Sequence, residues 1–264
     1  HAYHRRQRQM CIRDRWRGEP KNRMIKLFID TGNSSIKWRL QSGEYFCQSG
    51  RGQFADLSNY LEEYGDKLKD LNSVYISNVS TEDYSESLKR LFKTKFNIIP
   101  SFARVTRKAA GVTCGYTNVD DLGVDRWLAM IGATKKYGGN LLVVDAGTAI
   151  TLDIINGELM HLGGFILPGL RVSSKSLVCN TSRIADFHFD DQINIPGNDT
   201  QSCVIGGALF SVTSVINNLM SSYALRLVIT GGDKQIIINQ ISEDFVAEEN
   251  LVLDGLACIG VKFD

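Results

Sequence analysis

The chain has no pair of cysteines close enough to clip a metal. Cys11, Cys47, Cys114, Cys179, Cys203 and Cys258 are scattered with no C-x-x-C spacing, which excludes a zinc knuckle and a disulfide framework and reads most of them as small buried hydrophobes. With only 4 Pro in 264 residues, no Pro-rich or low-complexity linker separates parts of the molecule. Uninterrupted apolar runs are also scarce: Leu141 to Ile155 is broken by Asp145 and Asp153, and no segment reads as the roughly 20 apolar residues of a membrane span. No apolar core of signal-peptide type precedes Met24, so a reducing cytoplasm is the expected setting. The formal net charge is only +1, but it is unevenly spread. Residues 1–23 carry eight Arg or Lys against Asp14 and Glu19, a net of +6, which leaves the rest of the chain at −5. Such an arm is the electrostatic footprint of phosphate-backbone binding. Its string from Ala2 to Arg15 instead resembles a translated sequencing adapter, so residues 1–23 are set aside from fold reasoning and nucleic acid is not the expected partner.

What is present is a repeated phrase. Ile29-Asp30-Thr31-Gly32-Asn33-Ser34-Ser35 and Val144-Asp145-Ala146-Gly147-Thr148-Ala149-Ile150-Thr151 each join a short apolar strand to a second strand through Asp-x-Gly. The Asp can face a hydrated metal. The Gly removes the Cβ that would keep a phosphate from the backbone, and the residues after it offer N–H and hydroxyl donors. Around each copy the same plan is predicted. In the first half, strands at Lys26 to Asp30, Ser35 to Leu40 and Glu44 to Ser49 precede a helix through Leu57 and Leu61, a strand at Ser73 to Ile76, a helix opened by Ser80-Thr81-Glu82-Asp83, and a strand near Asn97 to Ile99. A helix at Val124 to Lys136 then leads to Gly138-Gly139. Beyond it come strands at Leu141 to Asp145, Ala149 to Ile155 and Glu158 to Ile166, helices near Leu170 to Leu177 and Thr200 to Ser221, and a strand at Leu225 to Thr230 ending in Gly231-Gly232-Asp233. We therefore expect an α/β protein with an internal duplication: residues 24–138 and 139–264, with a cleft between the halves.

These features together resemble the nucleotide cleft of the acetate and sugar kinase, heat-shock ATPase and actin superfamily, which implies two actin-like, ribonuclease H-like lobes with mixed sheets. Tyr116, Gly123-Val124-Asp125-Arg126 opening a helix, and Gly163-Gly164-Phe165-Ile166-Leu167-Pro168-Gly169 make the resemblance specific: from Met24 onward the chain is similar to type III pantothenate kinases. That resemblance implies ATP-dependent phosphorylation of pantothenate to 4′-phosphopantothenate, the first step of coenzyme A biosynthesis, in a homodimer whose interface helps form the acceptor pocket. It implies Asp125 as general base. Tyr116, Gly123, Val124, Asp125, Arg126 and Thr200 would contact the substrate, with Arg126 complementing the pantothenate carboxylate. Asp30, Thr31, Gly32, Asn33, Ser34, Ser35, Ile36, Lys37 and Thr148 would contact ATP. Asp30 would meet Mg²⁺ through water, and Asp145 would hold a monovalent cation, K⁺ or NH₄⁺. From its residues alone, Asp125 reads equally well as a helix cap or a partner of Arg126, and Thr200 as an N-cap. Val119 stands where the family commonly has Pro, and Asn180 to Ile184 follows the family only loosely. Two rivals remain: a kinase of the same superfamily with another small acceptor, because Asp-x-Gly loops read phosphate alone, and a transcription accessory factor, because relatives have been described so.

Overall fold

A computed structural model describes residues 24–65, 68–181 and 195–258. The basic leader lies outside the described residues, as does most of Asn180 to Ile184.

The first unit is built on one sheet. β1 (Ile25–Thr31), β2 (Ile36–Ser42) and β3 (Tyr45–Gly52) form an antiparallel meander; β4 (Leu71–Asn78) and the short β5 (Ser101–Phe102) add in parallel on the other side, giving the order β3-β2-β1-β4-β5. Strand alternation sends Ile25, Leu27, Ile29, Ile36, Trp38 and Leu40 to one face. There they meet Leu57 and Leu61 of α1 (Phe54–Glu63) and Leu88 and Phe92 of α2 (Glu82–Phe96). Asp30 and Lys37, paired opposite each other, take the other face with Phe28 and Arg39.

The second unit repeats this topology. β8 (Leu141–Ala146), β9 (Ala149–Ile155) and β10 (His161–Pro168) form the meander, and β11 (Arg226–Thr230) and β12 (Phe245–Ala247) the parallel side, in the order β10-β9-β8-β11-β12. Duplicated strand order confirms the ribonuclease H-like halves expected from the sequence. Leu142, Val144, Ala146, Ile150, Leu152 and Ile154 face a core with α4 (Leu170–Asn180), α5 (Thr200–Ser222) and α6 (Lys234–Ile238). The opposite face carries α3 (Val124–Tyr137), which packs against α7 (Leu251–Cys258). A small hairpin, β6 (Lys108–Ala109) and β7 (Val112–Thr113), precedes α3.

Three differences from the sequence reading have physical causes. The compact units divide at Ala103/Arg104, not at Gly138-Gly139, because α3 packs on the second sheet. Gly138, at φ +81°, closes α3, and a Cβ on Gly139 would sit 2.4 Å from the Asn156 carbonyl oxygen, so the pair is a tight junction within the second unit. The strand expected near Asn97 to Ile99 begins later: Asn97 adopts φ 55° as the left-handed cap of α2, and the chain becomes a strand only at Ser101. Finally, α5 is long and apolar enough to cross a membrane by length and composition, contrary to the reading that no segment is. Its Gly, Ala, Ser and Thr residues extend it without a single charge, and Ile205, Leu209, Val212, Ile216 and Leu219 form its buried stripe in the second core.

Two glycines separate close packing from mere helix weakening. A Cβ on Gly255 of α7 would lie 1.9 Å from the Leu128 carbonyl oxygen of α3, whereas one on Gly207 of α5 would meet nothing within 4 Å. Gly255→Ala is expected to destabilise the fold by about 1–3 kcal/mol and Gly207→Ala to stabilise it by about 0.5–1 kcal/mol, as read by chemical denaturation.

Candidate active site

The β1–β2 loop is a braced hairpin. Gly32 N–H donates to the Ser35 carbonyl at 3.1 Å, Arg51 Nε donates to Ser35 Oγ at 3.2 Å, and Gln53 Nε2 donates to the Ser34 carbonyl at 2.9 Å. Asn33 and Ser34 are exposed at the tip. Thr31 and Ile36, both expected at ATP, have other duties for their side chains. The Thr31 hydroxyl is fully buried, donating to the Ser77 carbonyl at 2.9 Å and lying 2.6 Å from Asn78 Oδ1, and Ile36 belongs to the core. Their side chains anchor the loop to β4 and to the helices, so any phosphate contact they make runs through backbone.

At the equivalent point of the second unit, the β8–β9 turn is closed by Gly147 N–H to the Ala149 carbonyl at 3.1 Å. Two neighbouring segments crowd against it. Gly169, the N-cap of α4, donates to the Thr148 carbonyl at 3.0 Å, and a Cβ there would fall 2.3 Å from the Gly147 oxygen. Gly231, at φ +100°, would bring a Cβ within 2.3 Å of the Ala146 oxygen, and Asp233 N–H donates to that oxygen at 3.0 Å. Asp145, Thr148, the start of α4 and the Gly231 turn thus gather at the carboxyl ends of β8 and β11. Backbone N–H groups at the start of α4 supply a partial positive charge there.

Asp145 stands opposite Thr151 and Val143 opposite Asp153, so Asp145, Thr151 and Asp153 share the α3 side of the sheet. Asp153 is a buried carboxylate inside an otherwise apolar strand. Its partner is Arg126: Nε donates to Oδ2 at 3.0 Å and Nη2 to Oδ1 at 2.6 Å, a two-point fork with both side chains buried. Arg126 Nη1 donates to the Tyr116 hydroxyl at 3.0 Å. Room for the pair comes from Gly164, where a Cβ would lie 2.7 Å from Asp153 Oδ1 and 3.0 Å from Arg126 Nη2.

Asp125 occupies the first turn of α3, and its Oδ1 accepts the Arg126 N–H at 2.8 Å. Burial raises its pKa, outweighing the lowering by the Arg126 N–H and guanidinium. Gly123 is the N-cap; a Cβ on it would sit 2.7 Å from Asp125 Oδ1. The Gly-x-Asp-Arg phrase therefore has a steric logic: Gly leaves space for the carboxylate, and Arg pins the helix start to β9. Tyr116 is held by its own loop. Arg107 donates from Nη1 to the carbonyls of Cys114 at 3.1 Å and Tyr116 at 2.6 Å, and from Nη2 to that of Thr117 at 2.8 Å. Val119 opens a 3₁₀ turn that Asn118 closes by accepting Asp120 N–H at 3.3 Å and donating to Asp121 Oδ1 at 3.0 Å.

Tyr116, Gly123, Val124, Asp125 and Arg126 thus come together, while Thr200 lies elsewhere. It is the first residue of α5, whose N-cap is Asp199, and it lines an open hollow of about 790 Å³ between α4 and α5 with Ser173, Leu177, Cys203 and Ala208. Sequence reasoning passed over Asp153 and His161, although a carboxylate in the run Ile150-Thr151-Leu152-Asp153-Ile154-Ile155 was the available signal.

A profile of type III pantothenate kinases matches residues 26–222. A type III pantothenate kinase of Nitrosococcus oceani is 31% identical over 245 residues, covering 88% of this chain and 92% of that one. Its counterpart from Pseudoalteromonas translucida is 33% identical over 237 residues, covering 88% and 94%. Among solved structures, a Campylobacter jejuni protein described as a transcriptional activator of the Baf family aligns with a TM-score of 0.57 at 26% identity, covering 88% of this chain and 96% of that one. An activator of 2-hydroxyisocaproyl-CoA dehydratase from Clostridium difficile, solved with ADPNP, shares the fold at a TM-score of 0.51 and 13% identity, covering 89% and 93%.

The raised pKa of Asp125 has a signed consequence. A partly buried carboxylate with an elevated folded-state pKa opposes folding at neutral pH, and that penalty fades as the pH falls through the folded-state value. Asp125→Asn is expected to melt at or above the wild-type temperature at neutral pH, with the gap narrowing on acidification. Thermal denaturation across pH checks this; a clear loss of stability would make Asp125 a structural cap.

Proposed function

The chain belongs to the type III pantothenate kinase family, and on that premise we propose that Asp125 is the general base of its reaction. The protein is a pantothenate kinase: it uses ATP to phosphorylate pantothenate, the entry to coenzyme A synthesis. The observation that carries the assignment of the base is the partly buried Asp125 carboxylate, with room kept beside it by Gly123 and its position fixed through Arg126. A raised pKa strengthens a carboxylate as a base, and in phosphoryl transfer such a group orients the acceptor hydroxyl and accepts its proton. Tyr116 would contact the acceptor beside it. Because the Arg126 fork is already engaged by Asp153 and Tyr116, Arg126 would bear on the acceptor carboxylate through the N–H groups left over, or through Tyr116.

For the nucleotide, the N–H and hydroxyl groups of Gly32 to Ser35, Lys37, and Thr148 with the start of α4 are the proposed phosphate donors. Asp30, a carboxylate at the end of a strand beside a loop of phosphate donors, fits Mg²⁺, which takes one or two carboxylates and keeps several waters. Asp145 and the carbonyl oxygens of its tight hairpin are hard oxygen donors that fit K⁺ or NH₄⁺. When bound, such cations neutralise charge on the phosphate oxygens; the chain's own part is to hold the phosphates and acceptor in line. A cytoplasmic site of action is part of the proposal, since that is where ATP and Mg²⁺ are supplied.

We also propose a homodimer. What supports it is apolar surface on the second unit: Leu162, Phe165 and Ile166 on edge strand β10, Val172 and Leu177 on α4 and Phe210 on α5 are all exposed. Thr200 lies by α4 and α5, apart from the Asp125 cluster. The likeness to the Campylobacter jejuni activator carries a second reading, in which the chain binds DNA.

Three measurements test these proposals. ATP consumption with Mg²⁺ and K⁺ is expected to require pantothenate and not sugars or acetate, and Asp125→Asn to lower kcat by about 10²–10⁴-fold while folding persists. An unaffected rate would remove Asp125 from the base role, and salt-sensitive DNA binding by the chain from Met24 onward would favour the second reading. In sedimentation, Phe210→Glu is expected to shift a dimer toward monomer; a fully active wild-type monomer would contradict the dimer.

A further inference from the structure

The Asp153 carboxylate has a second buried neighbour. His161, at the start of β10, places Nε2 3.0 Å from Asp153 Oδ1, the same oxygen that receives Arg126 Nη2, and its side chain is wholly buried. Its other ring nitrogen, Nδ1, is buried and meets no hydrogen-bond partner. One tautomer satisfies this arrangement best. With the hydrogen on Nε2 the ring donates to Asp153, and the partnerless atom is a bare acceptor, which is cheaper to bury than an unmatched N–H. The imidazole is then fixed in plane by Asp153 on one edge, and its face is stacked on Tyr116, with ring centroids 5.7 Å apart and planes inclined by 15°.

The backbone is shaped for this stack. A Cβ on Gly115 would lie 1.9 Å from the His161 carbonyl oxygen, so only glycine lets the Tyr116 loop run this close to β10. Thr113 N–H donates to the Leu159 carbonyl at 2.9 Å and anchors the loop two residues earlier. Tyr116 is thus held on three sides: Arg107 grips its backbone, His161 lies against its ring, and Arg126 Nη1 donates to its hydroxyl. Because the hydroxyl oxygen accepts from Arg126, its own hydrogen is left to point away from the guanidinium.

We propose that Asp153 and His161 are positioning residues for the acceptor: they fix the Arg126 guanidinium and the Tyr116 ring so that Tyr116 presents its phenolic hydrogen to a carbonyl or carboxylate oxygen of the bound acceptor. The proposal rests on reading this cluster as the acceptor side of the kinase. It makes the site selective for acceptors that carry such an oxygen at a fixed distance from the reacting hydroxyl, and it ties that selectivity to Asp125, since the Arg126 N–H bonds Asp125 while its guanidinium bonds Asp153. Neither Asp153 nor His161 touches the substrate in this scheme.

Steady-state kinetics of the full chain separate positioning from simple structural support. His161→Phe keeps an aromatic face for Tyr116 and loses the donor to Asp153; His161→Gln restores a side-chain N–H of similar reach; Asp153→Asn removes the charge that holds Arg126. His161→Phe and Asp153→Asn are expected to raise KM for the acceptor by about 10- to 100-fold, with KM for ATP unchanged, and His161→Gln to recover most of the loss seen in His161→Phe. Equal changes in both KM values, or a fall in kcat with the acceptor KM unchanged, would overturn the proposal. The acceptor used is whichever the wild-type enzyme turns over in the panel, so a wild type that ignores pantothenate defeats the substrate reading and leaves this comparison intact. Nitrogen-15 NMR of the imidazole gives a readout independent of turnover and of the milder variants' stability: the wild type should show a single Nε2–H tautomer, and an Nδ1–H tautomer would sink the proposal.

Discussion

The second unit is organised around one buried ion pair. Taking Arg126 and Asp153 out of water carries a large desolvation cost, which is recovered only when the geometry is near ideal and the remaining donors and acceptors are matched. The structure meets both conditions. Two parallel N–H···O contacts join the groups, Tyr116 takes a third donor of the guanidinium, and His161 reaches the same carboxylate. Once that pair is in place, the first turn of α3 is pinned to β9, and Asp125, one residue before Arg126, has little freedom left. Losing either partner would strand a charge in the interior, which costs far more than the pair itself contributes.

Around it the glycines mark where backbones and charged groups must approach closely. Gly164 makes room for the pair, Gly123 for the Asp125 carboxylate, Gly115 for the Tyr116 loop, and Gly169 and Gly231 for the turn that follows Asp145. Each admits something a methyl group would exclude. The two faces of the second sheet accordingly have separate tasks: Leu142, Val144, Leu152 and Ile154 stabilise it by burial against the helices, while Asp145, Thr151 and Asp153 carry polar groups toward α3.

The sequence disclosed the chemistry more readily than its supports. Asp-x-Gly between two short apolar runs is a local signal with a local cause, and its repetition marked both hairpins and both ribonuclease H-like sheets. The supports are long-range. Asp153 and Arg126 are far apart in the chain, and in sequence Asp153 looked only like an interruption of an apolar strand. Nothing near Thr31 announces that its hydroxyl will turn to Ser77 on β4. Gly138-Gly139 had the composition of a linker, yet its role follows from the Asn156 carbonyl that the fold brings against it. The helix α5 was expected at Thr200 to Ser221, but its membrane-compatible composition was missed because the small polar residues in that segment do not look apolar in a run.

The duplicated sheets allow a position-by-position comparison of the halves. Asp30 lies opposite Lys37 in the first and Asp145 opposite Thr151 in the second, so the strand position two residues further on is Arg39 in one half and Asp153 in the other. Both are buried, and Arg39 lies with its guanidinium carbon 3.6 Å from the centre of the Phe46 ring. One address in the repeated sheet is a cation in one copy and an anion in the other. The two sheets are therefore not interchangeable spare parts: the first sheet set in the place of the second would keep the strand order and the Asp-x-Gly hairpin, yet would seat a positive charge where Arg126 needs a negative one.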